Sequence, residues 1–145
     1  MTFMMGKFEA HLPGDYLYCR NHMWCKEIDG KLRFGFTSYA VRLMQDVYFL
    51  DWNIDGGTDL ELKQEIGHIE TSKAESDLYA PMNGTLMDFN DELLKDPTPI
   101  NVDNYGEGWL FHLEGDLAQT INVEEYFRFL DEGWEKTQRM LKGHM

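Results

Sequence analysis

Among the side chains able to do chemistry, one lysine is set apart by its neighbours. Lys73 lies in the run Ile66-Gly-His-Ile-Glu70-Thr-Ser-Lys73-Ala-Glu-Ser-Asp-Leu-Tyr79-Ala-Pro81-Met-Asn-Gly84. Two short apolar stretches, Ile66 to Ile69 and Leu78 to Ala80, bracket a small polar one. That is how a β-hairpin with Lys73 at or near its tip reads. Seven other lysines are available to coat the surface, so exposure alone says little. A lysine between Ser72 and Ala74, followed by Tyr79-Ala-Pro-x-x-Gly84, is a rarer pattern: an amine offered to a modifying enzyme. The base of such a side chain is fixed by the hairpin ladder, and its end is free.

Other candidates are weaker. His11, His22, His68, His112 and His144 fall in different segments, and no catalytic acid, base or nucleophile stands out. Cys19 and Cys25 are too few and too widely spaced for a zinc site, so no metal is expected. A disulfide between them would be out of place in a reducing compartment. The two cysteines read either as small side chains packed in or beside strands, or as redox partners of a disulfide-bearing cofactor. His22, three residues from a cysteine, is only a weak cysteine–histidine pair.

The elements that must position Lys73 are mostly strands. Tyr16 to Cys19 and Met23 to Ile28 read as short strands, and Asp29-Gly30 is a strong hairpin turn. Lys31 to Phe36 alternates, with Leu32, Phe34 and Phe36 on one face and Lys31, Arg33 and Gly35 on the other. Ser38 is placed to cap a short helix carrying Tyr39, Leu43 and Met44. Val47 to Trp52 reads as a strand ended by Asp55-Gly-Gly57. Thr85 to Phe89 and Trp109 to Leu113 follow as strands, with one helical turn at Asp91 to Lys95. From Asn122 the period changes: Tyr126, Leu130, Trp134, Thr137 and Leu141 recur every three or four residues, which predicts a C-terminal helix. Asn122 and Glu125 suit its capping box. Many short strands with tight turns point to a sandwich or barrel.

With 145 residues and 43% hydrophobic content, the chain suits one domain that needs neither disulfides nor a metal to fold. A formal charge of −13 disfavours nucleic acid and anionic membrane as partners. No apolar run approaches the ~20 residues that span a bilayer. Residues 1–14 lack the pattern of a signal or transit peptide, so a cytoplasmic protein is expected.

Four blocks together resemble a known family. Tyr18, His22 and Trp24 form the first, and Gly35-Phe-Thr37, Tyr39-Ala40, Leu43 and Asp46-Val47 the second. Glu70, Lys73-Ala74, Ser76-Asp77, Tyr79-Ala-Pro81 and Gly84 form the third, and Asn101, Asp103 and Tyr105 to Leu110 the fourth. In these the chain is similar to the glycine cleavage H proteins, a family of lipoyl-bearing carriers. The resemblance implies a mainly β barrel-sandwich hybrid of two antiparallel sheets with short helices. It implies one domain over residues 1–145, with its core at about 15–115 and its C-terminal helix at about 122–142.

It further implies lipoic acid joined as an amide to Lys73 by a lipoate ligase or lipoyl transferase. The amide would remove the lysine's charge and its attraction to Glu70 and Glu75. Glycine decarboxylase, an aminomethyltransferase and dihydrolipoyl dehydrogenase would be the partners, and the chain itself a carrier rather than an enzyme. Biotin carriers use a similar hairpin but typically place methionine on both sides of the lysine.

The match departs from the family at Met23 (usually glutamate), Thr71-Ser72 (usually Ser-Val), Gln45 (usually glycine) and Asn104 (usually proline). The segment Asp51 to Gly56 also replaces the usual Leu-Pro-x-x-Gly. Two alternatives stay open. One is a divergent lipoate-binding protein of sulfur oxidation, serving a heterodisulfide-reductase-like complex and carrying sulfur. The other is an unlipoylated scaffold or binding module.

Overall fold

The structure, a computed structural model, describes residues 1–143, with side chains through residue 140. Strands β1 (Thr2–Met5), β2 (Phe8–His11), β3 (Leu17–Tyr18), β4 (Met23–Ile28) and β5 (Lys31–Phe36) lead into helix α1 (Ser38–Met44). Then come β6 (Val47–Trp52), β7 (Asp59–Leu60), β8 (Glu65–Thr71), β9 (Glu75–Tyr79) and β10 (Gly84–Phe89). Helices α2 (Glu92–Lys95) and α3 (Thr98–Val102), strand β11 (Phe111–Gly115), a 3-10 turn and helix α4 (Val123–Gly143) complete the order.

All pairings are antiparallel. A six-stranded sheet in the order β3-β4-β5-β11-β10-β7 faces a three-stranded one in the order β6-β8-β9. Buried Phe34, Ile66, Ile69, Leu86, Phe111 and Leu113 belong to one apolar cluster drawn from both sheets. This is the two-sheet sandwich expected from the resemblance. A third, two-stranded sheet, β1-β2, comes from the N-terminal segment, for which the sequence suggested no element. Its Phe3, Met5 and Ala10 join Trp24, Tyr39, Tyr126 and Leu130 in a second, aromatic cluster. Phe3 meets Tyr39, Phe127 and Trp134 edge-on, at centroid distances of 5.8, 5.3 and 5.9 Å.

That second cluster explains where sequence patterning fell short. Gly35 was expected on a polar face, yet it is buried beneath the Trp24 indole; a Cβ there would lie 2.5 Å from the ring. The cap of α1 is Thr37 rather than Ser38: the buried Thr37 hydroxyl accepts from Ala40 N at 3.2 Å. The last strand begins at Phe111 rather than Trp109, because Trp109 N turns back to Gly106 O. The capping box of α4 forms, with Glu125 N donating to Asn122 Oδ1 at 2.9 Å. Tyr126 and Leu130 are buried along its inner face; the Leu141 side chain and His144 lie outside the described residues.

Candidate functional site

The apolar stretches flanking Lys73 extend into the longer strands β8 and β9, joined by Ser72, Lys73 and Ala74. Their register pairs Glu70 with Glu75, Ile69 with Ser76 and His68 with Asp77. Ile69 and Leu78 point into the core, so period-two alternation turns Glu70, Glu75 and Asp77 outward. Lys73 is exposed and takes part in none of the ion pairs among the described residues, so it is not tethered to Glu70 or Glu75. The amine is accessible, and its turn neighbours Ser72 and Ala74 are small enough to leave the approach open.

The turn is held by a residue that sequence reasoning passed over. Thr71 is only 7% exposed, and its hydroxyl accepts from Lys73 N and from Ala74 N, each at 3.2 Å, while lying 3.2 Å from Ala74 O. Thr71 N donates to Ala74 O at 2.9 Å, and Ser72 N donates across to Asp46 O at 2.9 Å. Asp46 precedes Val47, whose N–H and carbonyl are both bound by the Asn101 amide at 2.9 Å. Asn101 on α3 thus stands in for a missing strand partner at the start of β6. Its place in the fourth sequence block was the available signal. For Thr71 the signal was a hydroxyl at the last position before the turn, a residue type that bonds nearby backbone amides.

Charge around the hairpin is acidic. His68 lies between Glu70 (3.6 Å) and Asp77 (3.5 Å), and Phe49 approaches its ring edge-on at 6.5 Å. Ligand atoms of His68, Glu70 and Glu75 fall within 4.8 Å of one another, the kind of gathering exposed carboxylates commonly make without an ion.

The remaining candidates sit in the packing. Cys19 and Cys25 are buried free thiols, 3% and 0% exposed. Burial pushes the Cys19 thiol up to about 12 and raises Cys25 likewise. Neither forms appreciable thiolate at neutral pH, so the packed reading holds and the redox one loses its physical basis. The His22 ring is bound to neither cysteine: its Nδ1 lies 2.9 Å from the Tyr126 hydroxyl. His112 bridges Asp88 (2.9 Å) and Arg33 (3.0 Å) along one row of three neighbouring strands. Burial lowers its pKa, which suits a neutral ring that donates from Nδ1 and accepts at Nε2. Met23, at the family's usual glutamate position, is 2% exposed within the core. Asn104, at the usual proline, donates to Phe36 O at 2.9 Å, and its carbonyl accepts from the Trp24 indole at 2.9 Å.

Relatives place this geometry. The chain is 33% identical over 128 residues to the glycine cleavage system H protein of Pseudoalteromonas translucida, covering 85% of this chain and 98% of that one. It is 36% identical over 122 residues to the H protein of Psychrobacter cryohalolentis, covering 81% and 96%. The crystal structure of the H protein from Mycobacterium marinum superposes with a TM-score of 0.69 at 29% identity, covering 84% of this chain and 98% of that one. The family model described as glycine cleavage H-protein matches residues 16–134, and the chain belongs to that family.

Proposed function

We propose that this chain is a lipoyl carrier of glycine cleavage, with lipoic acid attached as an amide to Lys73. One observation carries the reading: the lysine of the family's lipoyl block stands exposed on a pinned turn, with small neighbours and no ion pair among the described residues. Bound there, lipoate supplies a disulfide ring that nucleophiles open and that thiol–disulfide exchange restores. The chain's own residues do three things. Thr71 and Asp46 fix the root of the arm, Ser72 and Ala74 leave its approach clear, and the acidic face presents a charge pattern to partners.

The expected partners are a lipoate ligase or lipoyl transferase, then glycine decarboxylase, an aminomethyltransferase and dihydrolipoyl dehydrogenase. The working unit is the whole chain, in the cytoplasm. No described helix is long and apolar enough to cross a membrane. Carriage of sulfur for a heterodisulfide-reductase-like complex was left open by the departures from the family pattern; the burial of Cys19 and Cys25 takes away the support those two thiols would have lent it.

Mass spectrometry of protein from its native host tests attachment: a lipoyl amide on Lys73 is expected, and a bare amine would sustain the scaffold reading instead. Glycine–bicarbonate exchange with glycine decarboxylase from the same organism tests the cargo. Lys73→Arg should fold normally and lose all carrier activity; residual turnover would remove Lys73 from the role.

A further inference from the structure

At least the first central residue of a two-residue hairpin loop usually takes a left-handed φ, so that the turn's twist matches that of the strands. Here the left-handed residues are His22, Asp29, Gln45 and Lys63, with Gly6, Gly30 and Gly57; neither Ser72 nor Lys73 is among them. One of the two ladder bonds closing the turn is also replaced. Thr71 N donates to Ala74 O, but Ala74 N donates to the Thr71 hydroxyl rather than to the Thr71 carbonyl. The same hydroxyl accepts from Lys73 N. A turn of ordinary residues, mismatched to the strand twist, is closed by a side chain.

We propose that Thr71 is the positioning residue for acylation of Lys73: its hydroxyl holds the turn in the shape the acylating enzyme acts on. This rests on the lipoyl-carrier reading. In that step the deprotonated Lys73 Nζ attacks the carbonyl carbon of an adenylate-activated lipoyl group. The C–N bond forms as the C–O bond to AMP breaks, and the amine proton passes to enzyme or solvent. Nothing in Thr71 touches the reacting atoms. It acts by keeping the Lys73 backbone in one place, so the enzyme need not select that shape from many.

Thr71→Val keeps the branched shape that fills the buried position and removes only the hydroxyl; Thr71→Ser keeps the hydroxyl and removes the methyl. Both variants, with the wild-type chain, are assayed in full-length unlipoylated form with a lipoate ligase, lipoate and ATP. Hydrogen exchange at the Lys73 and Ala74 amides is measured in parallel. Thr71→Val should lower kcat/KM at least fivefold and speed exchange at both amides, with urea unfolding of the body little changed. Thr71→Ser should stay within twofold of wild type in rate and exchange. Equal rates for Thr71→Val and wild type would overturn the proposal. So would a Thr71→Ser variant as slow as Thr71→Val, because the methyl rather than the hydroxyl would then matter. A wild-type chain that the ligase never modifies would instead sink the carrier reading itself.

Discussion

The β4–β5 hairpin and the sheet that carries Lys73 are built alike in their bodies and differently at their ends. Each body pairs a tryptophan with a glycine across neighbouring strands, Trp24 with Gly35 and Trp52 with Gly67. In both places the indole lies on the glycine: a Cβ on Gly35 would sit 2.5 Å from Trp24, and one on Gly67 2.7 Å from Trp52. The ends diverge. Asp29 and Gly30 turn the first hairpin with φ of 52° and 79°, both left-handed. The Ser72–Lys73 turn uses no left-handed residue and is held by the Thr71 hydroxyl and the Asp46 carbonyl. A turn that only reverses the chain can use glycine. The one that carries the exposed Lys73 keeps ordinary residues and borrows its order from neighbours.

The tryptophans offer the largest test of that likeness, because they differ in burial and in the bond made by the indole N–H. Trp24 Nε1 donates to Asn104 O at 2.9 Å, whereas Trp52 Nε1 is buried with no partner among the described residues. Trp24→Phe loses buried volume and strands the Asn104 carbonyl, so it should cost about 3 kcal/mol. Trp52 is only partly buried, so Trp52→Phe loses less packing and also removes an unsatisfied N–H, and its cost should be about 1 kcal/mol. Urea unfolding of the two variants measures the gap. Equal costs would mean that the Trp52 indole finds a partner in solution.

Next in size is the open end of the β4–β5 hairpin. Thr37 N donates to His22 O at 3.1 Å, and the His22 ring packs between Tyr39 and Phe129 with Nδ1 on Tyr126. Burial pulls its pKa down to about 4 from 6.5. Because the unfolded chain binds the proton first, the contribution of neutral His22 is intact above pH 6.5 and drains away as pH falls towards 4. Discounted for the partial exposure of the ring, the loss should be on the order of 2 kcal/mol. Comparing the wild type with His22→Gln from neutral to acid pH isolates it from the many carboxylates. A difference that stays flat with pH would remove His22 from the balance. The Lys73 end has no buried histidine of this kind.

The turns themselves come third. Gly30→Ala forces a Cβ into a left-handed position and should cost about 1 kcal/mol. Ser72→Ala, at a position that needs no glycine, should stay within about 0.5 kcal/mol. Similar losses at both turns would mean the two ends are less different than their backbones are.

How much of this could be read from the chain varies with how locally each feature is encoded. Asp29-Gly30 names its own turn, because two adjacent residues carry the whole conformational demand. The capping box at Asn122 and Glu125 is legible for the same reason, and Lys73 stood out because a polar stretch interrupts two apolar runs. The Trp–Gly pairs were hidden: each is a contact between two strands, which alternation along one strand does not show, so Gly35 read as part of a polar face. The β1–β2 hairpin was hidden differently. Thr-Phe-Met-Met offers little contrast between its two faces, although Phe3 and Met5 are buried and Met4 is exposed. Thr71 and Asn101 act through hydrogen bonds to backbone groups, which leave no periodic trace.

The smallest effect concerns the link between α1 and the Lys73 turn. Gln45 closes α1 at φ 60° and ψ −144°, a conformation that glycine adopts freely and a residue with a Cβ adopts only under strain, and glycine is the usual residue there in the family. It directly precedes Asp46, whose carbonyl receives Ser72 N. Gln45→Gly relieves strain but gives the unfolded chain more freedom, so a net gain of about 0.5 kcal/mol is expected. Because glycine accepts the same φ, Asp46 stays in place, and amide exchange at Ser72 should not change. Gln45→Pro fixes φ near −65°, breaks the approach to Asp46, and should speed that exchange. If both variants leave Ser72 equally protected, Asp46 is not what steadies the turn, and Thr71 alone separates this end from the glycine-built one.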